Sequence, residues 1–399
     1  MNVADLEGRY LLPMARDIAP VVGMIGGGQL ARMSAAPAAA LGIEFRVLAA
    51  SMDDSAAQVV ANPFIGSHDN LADILDFAKG CDVITFDHEH VPPDFLAAVE
   101  ATGVKVRPGP TALLCAQDKV HMRSTLAALN VPMPQWRVVM NTEDVVDFAH
   151  STHWPVVLKT SRGGYDGRGV WVVGDADEAA DVLTQPLPAN AQWLAEEHVV
   201  FEREISAQVA RSPYGQAVAY PIVQTTQIDG MCAEVIAPCP GITDELAMYA
   251  QDIALRIAQE LDVTGMLAVE LFATADGVFV NELAMRPHNS GHWSIDGAYT
   301  SQFENHLRAV LDWPLGDPRA RSPYSVMVNV VGTDADDLTS SYRHVMARDP
   351  QVKVHLYGKQ PRPGRKLGHV TVVGDNVASL LDRARHAAHF ISGQINEGD

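Results

Sequence analysis

The residues that pack the most chemistry into the least chain lie between Glu270 and His292. Glu270 and Glu282 sit in two apolar runs, residues 267–274 and 278–283, separated by Ala275-Asp276-Gly277, a pattern that predicts a β-hairpin. A three-residue loop ending in Gly is a common bulged connection, and in that register Glu270 lies directly across from Glu282. Facing carboxylates repel unless a cation stands between them. Oxygen ligands suit Mg2+, which takes one or two carboxylates and completes its shell with phosphates and water. Two other readings stay open: a pair of solvated acids on a surface hairpin, or a two-residue loop that sets Glu270 against Asn281. Arg286, His288, Asn289, Ser290 and His292 follow at once, interrupted by Pro287 and Gly291, which oppose a continued strand or a regular helix. Such a loop places a fixed positive charge beside a metal and could hold a small anion.

A second cluster is Ser161-Arg162-Gly163-Gly164-Tyr165-Asp166-Gly167-Arg168-Gly169, between strands expected at residues 156–160 and 170–173, with Lys159 on the incoming strand. Four glycines in seven residues make a mobile flap whose backbone N–H groups can cover phosphates, or else a plain flexible hairpin. It lacks the Gly-Lys-Ser/Thr of a P-loop. Nearer the N-terminus, strand 21–25 runs into Gly26-Gly27-Gly28-Gln29-Leu30-Ala31 and an Ala-rich helix over 31–41. That turn either offers backbone N–H groups to an anion, as a loose dinucleotide fingerprint does, or serves only close helix–strand packing. The acid expected on a ribose after strand 45–50 is displaced to Asp53 and Asp54, which counts against a nicotinamide cofactor. Asp87-His88-Glu89-His90, after strand 83–86, reads as a polar strand-end rim rather than a metal site.

The elements that must hold these residues follow in order. Helix 71–79 precedes the Asp87 rim; strand 104–107 and Pro108-Gly109-Pro110 close a first α/β unit, and one helix over 111–129, carrying Lys119, crosses to the next. Strand 193–200 carries Glu196 and Glu197, a further strand carries Glu204, and strand 235–242 with helix 243–261 leads into the hairpin. Helix 301–311 has Phe303, Leu307 and Val310 on one stripe, and residues 314–323 form a linker. Strands 326–331, 352–357 and 368–373 and helix 378–390 complete the chain. Between the last two strands Lys359, Arg362, Arg365 and Lys366 cluster with Pro361, Pro363 and Gly364, either a solvated turn or a phosphate site.

The whole chain sets outer bounds. With 399 residues it needs two or three domains. A net charge of −20 argues against a broad nucleic-acid surface, so an anionic substrate must find a local cluster of cations. Cys81, Cys115, Cys232 and Cys239 form neither a Cys-x-x-Cys pair nor a zinc spacing and suit a reducing cytosol. No apolar run approaches the roughly 18 to 20 residues that span a bilayer. Asp5 and Glu7 stand where a signal peptide would be basic, so a cytoplasmic protein is expected, with residues 1–20 a partly ordered extension.

Glu270, Asn281-Glu282, the run Arg286-Pro-His-Asn-Ser-Gly-His292 and the flap Gly163-Gly-Tyr-Asp-Gly-Arg-Gly169 behind Lys159 resemble the ATP-grasp carboxylate-amine ligases. Within them the resemblance is to the N5-carboxyaminoimidazole ribonucleotide synthetases of purine biosynthesis, and it runs from Val21 onward. Met285 is a departure, since the family usually has Pro there. The resemblance implies α/β and α+β architecture in a three-domain ATP-grasp fold. Residues 21–129 would form a Rossmann-like domain, 130–315 the ATP-grasp domain and 316–399 a small β-rich C-terminal domain.

It further implies ATP, Mg2+ or Mn2+, and bicarbonate as co-substrate in the carboxylation of 5-aminoimidazole ribonucleotide, usually by a homodimer, with no nucleic-acid or membrane partner. Carried over by position, Lys119, Lys159, Gly163, Gly164, Tyr165, Gly167, Gly169 and Asn281 would serve the nucleotide phosphates. Glu196, Glu197, Val199 and Glu204 would take the adenine edge and ribose. Glu270 and Glu282 would bind metal; Asp166, Arg168, Arg286, His288, Asn289 and Ser290 would form the reaction centre, with Asp166 accepting a proton from the substrate amine. Gly28, Gln29, Leu30 and Glu89 (before Asp87), with Lys359, Arg365 and Lys366, would hold the ribonucleotide. Alternatives are a formate-using glycinamide ribonucleotide transformylase, a biotin carboxylase and, on the Gly26 turn alone, a nicotinamide-dependent oxidoreductase.

Overall fold

The computed structural model describes residues 19–164, 167–333 and 337–395. The chain begins with β1 (Val21–Ile25), α1 (Gln29–Ala40), β2 (Glu44–Ala49), β3 (Phe64–Ile65), α2 (Leu71–Ala78), β4 (Val83–Phe86), α3 (Pro93–Ala101) and β5 (Lys105–Val106). The five strands pair in parallel in the order β3-β2-β1-β4-β5. Every residue of β1 and β4 is buried, as a parallel sheet covered on both faces requires. The strand order reverses between β1 and β4, and ligands of such sheets bind outside the carboxyl ends at that point. The Gly26 turn and the Asp87 rim stand there.

Two helices follow, α4 (Pro110–Gln117) and α5 (Lys119–Ala128), where a single helix was expected. The break is Asp118, extended at φ −137°, whose carboxylate accepts the N–H groups of Val120 at 2.9 Å and His121 at 3.1 Å. An Asp in this position caps a new helix by satisfying donors that its first turn leaves open. Asp118 also receives Nε of Arg162 at 2.7 Å, so the cap is tied to the start of the glycine flap.

Next come β6 (Trp136–Val139), α6 (Thr142–Thr152), β7 (Val156–Thr160), β8 (Val170–Val173), α7 (Ala176–Leu183) and β9 (Trp193–Glu197). They make a four-stranded antiparallel sheet, β6-β9-β7-β8, around a core that includes Val145, Phe148, Val156, Leu158 and Trp193. The flap is the β7–β8 connection.

The remaining strands are β10 (Arg203–Arg211), β11 (Ala217–Ala219), β12 (Val223–Ile228), β13 (Met231–Ala237), β14 (Gly265–Thr274), β15 (Gly277–Ala284), β16 (Tyr324–Val331), β17 (Lys353–Leu356) and β18 (Lys366–Gly374). They form one sheet, β15-β14-β10-β12-β13-β16-β18-β17, with β11 beside β10. Its helices are α8 (Asp244–Glu260), α9 (Ser294–Gly297), α10 (Gln302–Val310), α11 (Tyr342–Arg348) and α12 (Val377–Ile391). Strand β13 begins at Met231 and stops before Pro238, earlier than the expected 235–242, because Pro238 and Pro240 have no N–H for the ladder. The C-terminal strands have their own core under α12, with Val326, Val370, Leu380 and Ile391, yet they extend the central sheet through the β13–β16 pairing.

Helix α10 joins the first unit to the centre. Leu307 and Val310 pack with Val22, Ala38, Ile43 and Val83. His306, fully buried, accepts the Met266 N–H at Nδ1 (3.1 Å), while its Nε2 lies 2.8 Å from Thr85 Oγ1. Burial lowers its pKa to about 3, so the ring is neutral. A neutral ring that accepts at Nδ1 carries its proton on Nε2 and donates it to Thr85.

Candidate active site

The hairpin of β14 and β15 closes through two residues, Ala275 and Asp276, since Thr274 pairs with Gly277. The three-residue loop expected from the sequence is therefore not present, and an uninterrupted ladder from this turn would set Glu270 against Asn281. Instead the register shifts between Glu270 and Leu271: Leu271 pairs with Val280, Glu270 with Glu282, and Asn281 is the extra, bulged residue. The two carboxylates oppose each other by a bulge rather than by the loop.

They differ in environment. Glu282 Oε1 is 2.8 Å from Lys119 Nζ, the first residue of α5. Burial works to raise the Glu282 pKa, and the Lys119 ammonium outweighs it and holds the carboxyl below its usual range. His288 Nε2 lies 3.5 Å from Glu270 Oε1. His288 is itself held to about 3 by burial and by Arg286 and Lys366, so it supplies no charge there. Burial, then Glu282 and Glu204, push Glu270 up to about 8. A carboxyl raised by an opposing carboxylate, on a strand that lines a cleft, fits a divalent cation held by Glu270 and Glu282. Among the described residues no cluster of three or more His, Cys, Asp or Glu side chains surrounds a point, so most of that ion's ligands would be phosphates and water.

A largely buried line of charges runs behind the hairpin. Glu196 on β9 binds Lys159 Nζ at 2.7 Å and Arg123 Nε at 2.7 Å. Burial alone would raise its carboxyl, but Arg123 and Lys159 pull it to about 2. Lys159 also donates to Asn281 Oδ1 at 3.2 Å, so the bulged residue and the flap strand β7 meet at one ammonium. The Glu196 carboxylate is thereby tied to two cations at the cleft wall, which it lines together with the other residues expected near adenine and ribose. Those are Glu197, Val199 and Glu204, and burial raises Glu204 to about 7.

The cleft has a volume of about 1160 Å³. Every expected site residue among the described ones lines it except Gly28, Gly169, Ser290, Lys359 and Arg365. Tyr165 and Asp166 lie outside the described residues. In the flap Gly163, Gly167 and Gly169 have φ of +77°, +78° and +73°, which L side chains rarely adopt. A Cβ on Gly167 would stand 2.9 Å from Gly230 Cα in the β12–β13 turn, so the flap reaches across the cleft mouth.

Several expected contacts are made within the protein. The Gly28 N–H is taken by the Asp87 carboxylate, so the helix end expected to face a phosphate is already capped by an acid. Glu89 pairs with Arg286 Nε at 2.8 Å, joining the rim of the first sheet to the loop after β15. Ser290 is fully buried, with its Oγ 2.9 Å from both Ser206 Oγ and His288 Nδ1, and it accepts from Gln208 Nε2 at 3.2 Å. It supports His288 rather than lining the cleft. Gln302 holds the His288 backbone on both sides, N–H to Oε1 at 2.9 Å and Nε2 to carbonyl at 2.7 Å. Asn289 is braced by Asn329 at 3.3 Å.

Among the C-terminal cations, Lys366 lines the cleft and Lys359 Nζ reaches Gln29 Oε1 at 2.5 Å. Arg365 turns away: its Nη1 donates to the Gln360 carbonyl at 3.1 Å, and the loop folds back through Arg365 N–H to Arg362 O at 3.1 Å. Sequence reasoning passed over Arg123, Gln208, Gln302 and Asn329. Only Arg123 left a trace, as a cation between the core residues Met122 and Leu126 of a short helix.

Comparison with known proteins agrees with this geometry. The ribonucleotide synthetase preATP-grasp domain family matches residues 20–117, the ATP-grasp domain family 124–303, and the phosphoribosylaminoimidazole carboxylase C-terminal domain family 325–383. The N5-carboxyaminoimidazole ribonucleotide synthase of Mycobacterium tuberculosis is 54% identical over 386 residues, covering 96% of this chain and 90% of that protein. The chain belongs to the N5-carboxyaminoimidazole ribonucleotide synthase family. Solved structures of the family superpose closely. That of Thermus thermophilus has a TM-score of 0.82 at 34% identity, covering 94% of this chain and 99% of its own. The Aspergillus clavatus enzyme in complex with ADP and 5-aminoimidazole ribonucleotide has a TM-score of 0.85 at 30% identity, covering 95% and 100%.

Replacing Glu270 or Glu282 by Gln is expected to lower Mg2+-dependent turnover by at least about a hundredfold, since a cation's hold on the transferring phosphoryl group is worth several kcal/mol. Circular dichroism of both variants should match the parent. Full activity in both would remove the pair from the metal role.

Proposed function

We propose that this protein is an ATP-dependent carbon–nitrogen ligase that carboxylates the amine of 5-aminoimidazole ribonucleotide with bicarbonate, releasing ADP and phosphate, in purine biosynthesis. The observation that carries the reading is the opposed Glu270–Glu282 pair, set in one cleft with the glycine flap and with Arg286. The Aspergillus clavatus relative crystallised with ADP and 5-aminoimidazole ribonucleotide supports both substrates.

Bicarbonate is a poor electrophile, and transfer of the γ-phosphoryl group makes it carboxyphosphate, whose phosphate is a good leaving group. Glu270 and Glu282 would hold Mg2+, which would supply charge neutralisation on the phosphates. Lys159, from the flap strand, and Lys119 add positive charge at the same end of the cleft. Arg286 holds bicarbonate by exchanging its bond to Glu89 for one to the anion, and the neutral His288 shapes the pocket as a hydrogen-bonding group without adding charge. The flap's glycines bring backbone amides over the nucleotide and keep water from the intermediate. Asp166, on the family resemblance, takes the amine proton as nitrogen attacks carbon. The adenine lies toward Val199 and the stacked rings of Phe201 and Phe272, whose centroids are 4.7 Å apart. Lys359 with Gln29, and Lys366 at the cleft wall, receive the ribonucleotide. The same resemblance assigns a cytoplasmic homodimer; no helix among the described residues is long and apolar enough to cross a membrane.

ADP release should require 5-aminoimidazole ribonucleotide and bicarbonate together, with formate unable to replace bicarbonate. Turnover with formate and glycinamide ribonucleotide would favour the transformylase reading instead. Lys359→Ala and Lys366→Ala should each raise the apparent constant for the ribonucleotide tenfold to a hundredfold, since a charge-assisted hydrogen bond is worth about 1.5 to 3 kcal/mol. Arg365→Ala should leave that constant nearly unchanged. Equal effects of all three in steady-state kinetics would contradict the placement of Arg365 outside the cleft.

A further inference from the structure

Arg123 is the largest charged side chain with no exposure to solvent, and it touches neither the metal pair nor the cleft. Its guanidinium makes three bonds to two different sheets. Nε binds Glu196 of β9 at 2.7 Å, in the sheet that carries the flap. Nη1 donates to the Val280 carbonyl at 2.7 Å and Nη2 to the Asn281 carbonyl at 2.9 Å, both on β15.

Strand β15 is the edge of the central sheet, so its outward carbonyls have no strand to bind. Val280 and Asn281 are also where the register shifts and the bulge forms. A planar guanidinium fits this position because its fixed fork can take two successive carbonyls that a bulge turns the same way. On the same edge the Val280 N–H donates to the Pro132 carbonyl at 2.8 Å, a second contact along this edge.

We infer that Arg123 is a positioning residue for the nucleotide–metal site: it pins the bulge that sets Glu282 opposite Glu270, and it fixes the distance from that hairpin to Lys159 through Glu196. The inference rests on the ATP and metal reading given above. Without the fork, the bulge loses both of its carbonyl anchors and keeps the Val280–Pro132, Asn281–Lys159 and Glu282–Lys119 contacts, and the ladder can slide by one residue toward the alternative in which Glu270 faces Asn281. Arg123 therefore governs how tightly metal and nucleotide bind together, while the ribonucleotide end, formed by Gln29, Lys359 and Lys366, is left alone.

The test uses Arg123→Lys, which keeps the charge beside Glu196 but cannot span both carbonyls, and Arg123→Met, which keeps the stem and removes the charge. Titration calorimetry with ADP and Mn2+, paired with the Mn2+ resonance signal, reads binding without turnover. Arg123→Lys is expected to bind Mn2+·ADP about tenfold or more weakly, the equivalent of one charge-assisted hydrogen bond, with KM for ATP raised and KM for the ribonucleotide unchanged. Arg123→Met should be weaker still. A folded Arg123→Lys with the parent's Mn2+·ADP affinity, or one whose only change is a smaller active fraction, would overturn the inference. So would failure of both variants to fold, since a weld that the fold itself needs is structural. If the parent protein does not bind Mn2+·ADP, the functional reading fails rather than this refinement.

Discussion

Two carboxylates held face to face are an unfavourable arrangement that the rest of this structure exists to maintain. At a separation of about 5 Å, two ionised groups repel by roughly 3 kcal/mol at an effective dielectric of about 20. A hairpin left to itself would relieve that strain by protonation or by slipping its register. Here Lys119 keeps Glu282 ionised, while burial, Glu282 and Glu204 push Glu270 up to about 8 against the weaker pull of Lys366 and Arg286. The hairpin is therefore prepared for a cation, and a cation arriving with a nucleotide relieves the repulsion on binding.

The supports come from each part of the chain. The break at Asp118 sets Lys119 at the head of a helix and ties Arg162 of the flap to the same residue. Buried Glu196 gathers Lys159 and Arg123, so flap strand and hairpin share one ionic core. Removing one partner from such a group leaves a charge without compensation, which makes the arrangement all-or-none. On the opposite wall the Glu89–Arg286 pair links the first sheet's switch point to the polar loop, and His306 anchors that sheet beneath it.

Much of this was legible because hydrophobic period and glycine spacing are local signals. The flap between β7 and β8, Lys159 on its incoming strand and the polar run from Arg286 to His292 could all be placed before any contact was known. The facing of Glu270 and Glu282 was read from a three-residue loop, whereas the protein reaches it with a two-residue turn and a bulge at Asn281. A bulge is stabilised by a distant guanidinium, so no local pattern announces it. The same holds for Glu196, whose carboxylate turns inward to meet Arg123 from 73 residues away in sequence. Asp87 and Glu89 could not be told apart as the residue facing the substrate, because both follow the same strand, and neither the Asp87 bond to the Gly28 amide nor the Glu89 pair with Arg286 leaves a local pattern. Nor could Arg365 be told from Lys366, since neighbours on an extended segment point to opposite sides.

The central claim is that Glu270 and Glu282 jointly hold the metal that accompanies the nucleotide. Anomalous diffraction from crystals grown with ADP and Mn2+ tests it directly. The account predicts one strong peak within about 2.2 Å of an oxygen from each carboxylate and bridged to the ADP phosphates. A peak coordinated by phosphates and water alone, with the Glu282 carboxylate still on Lys119 and Glu270 turned away, would contradict it.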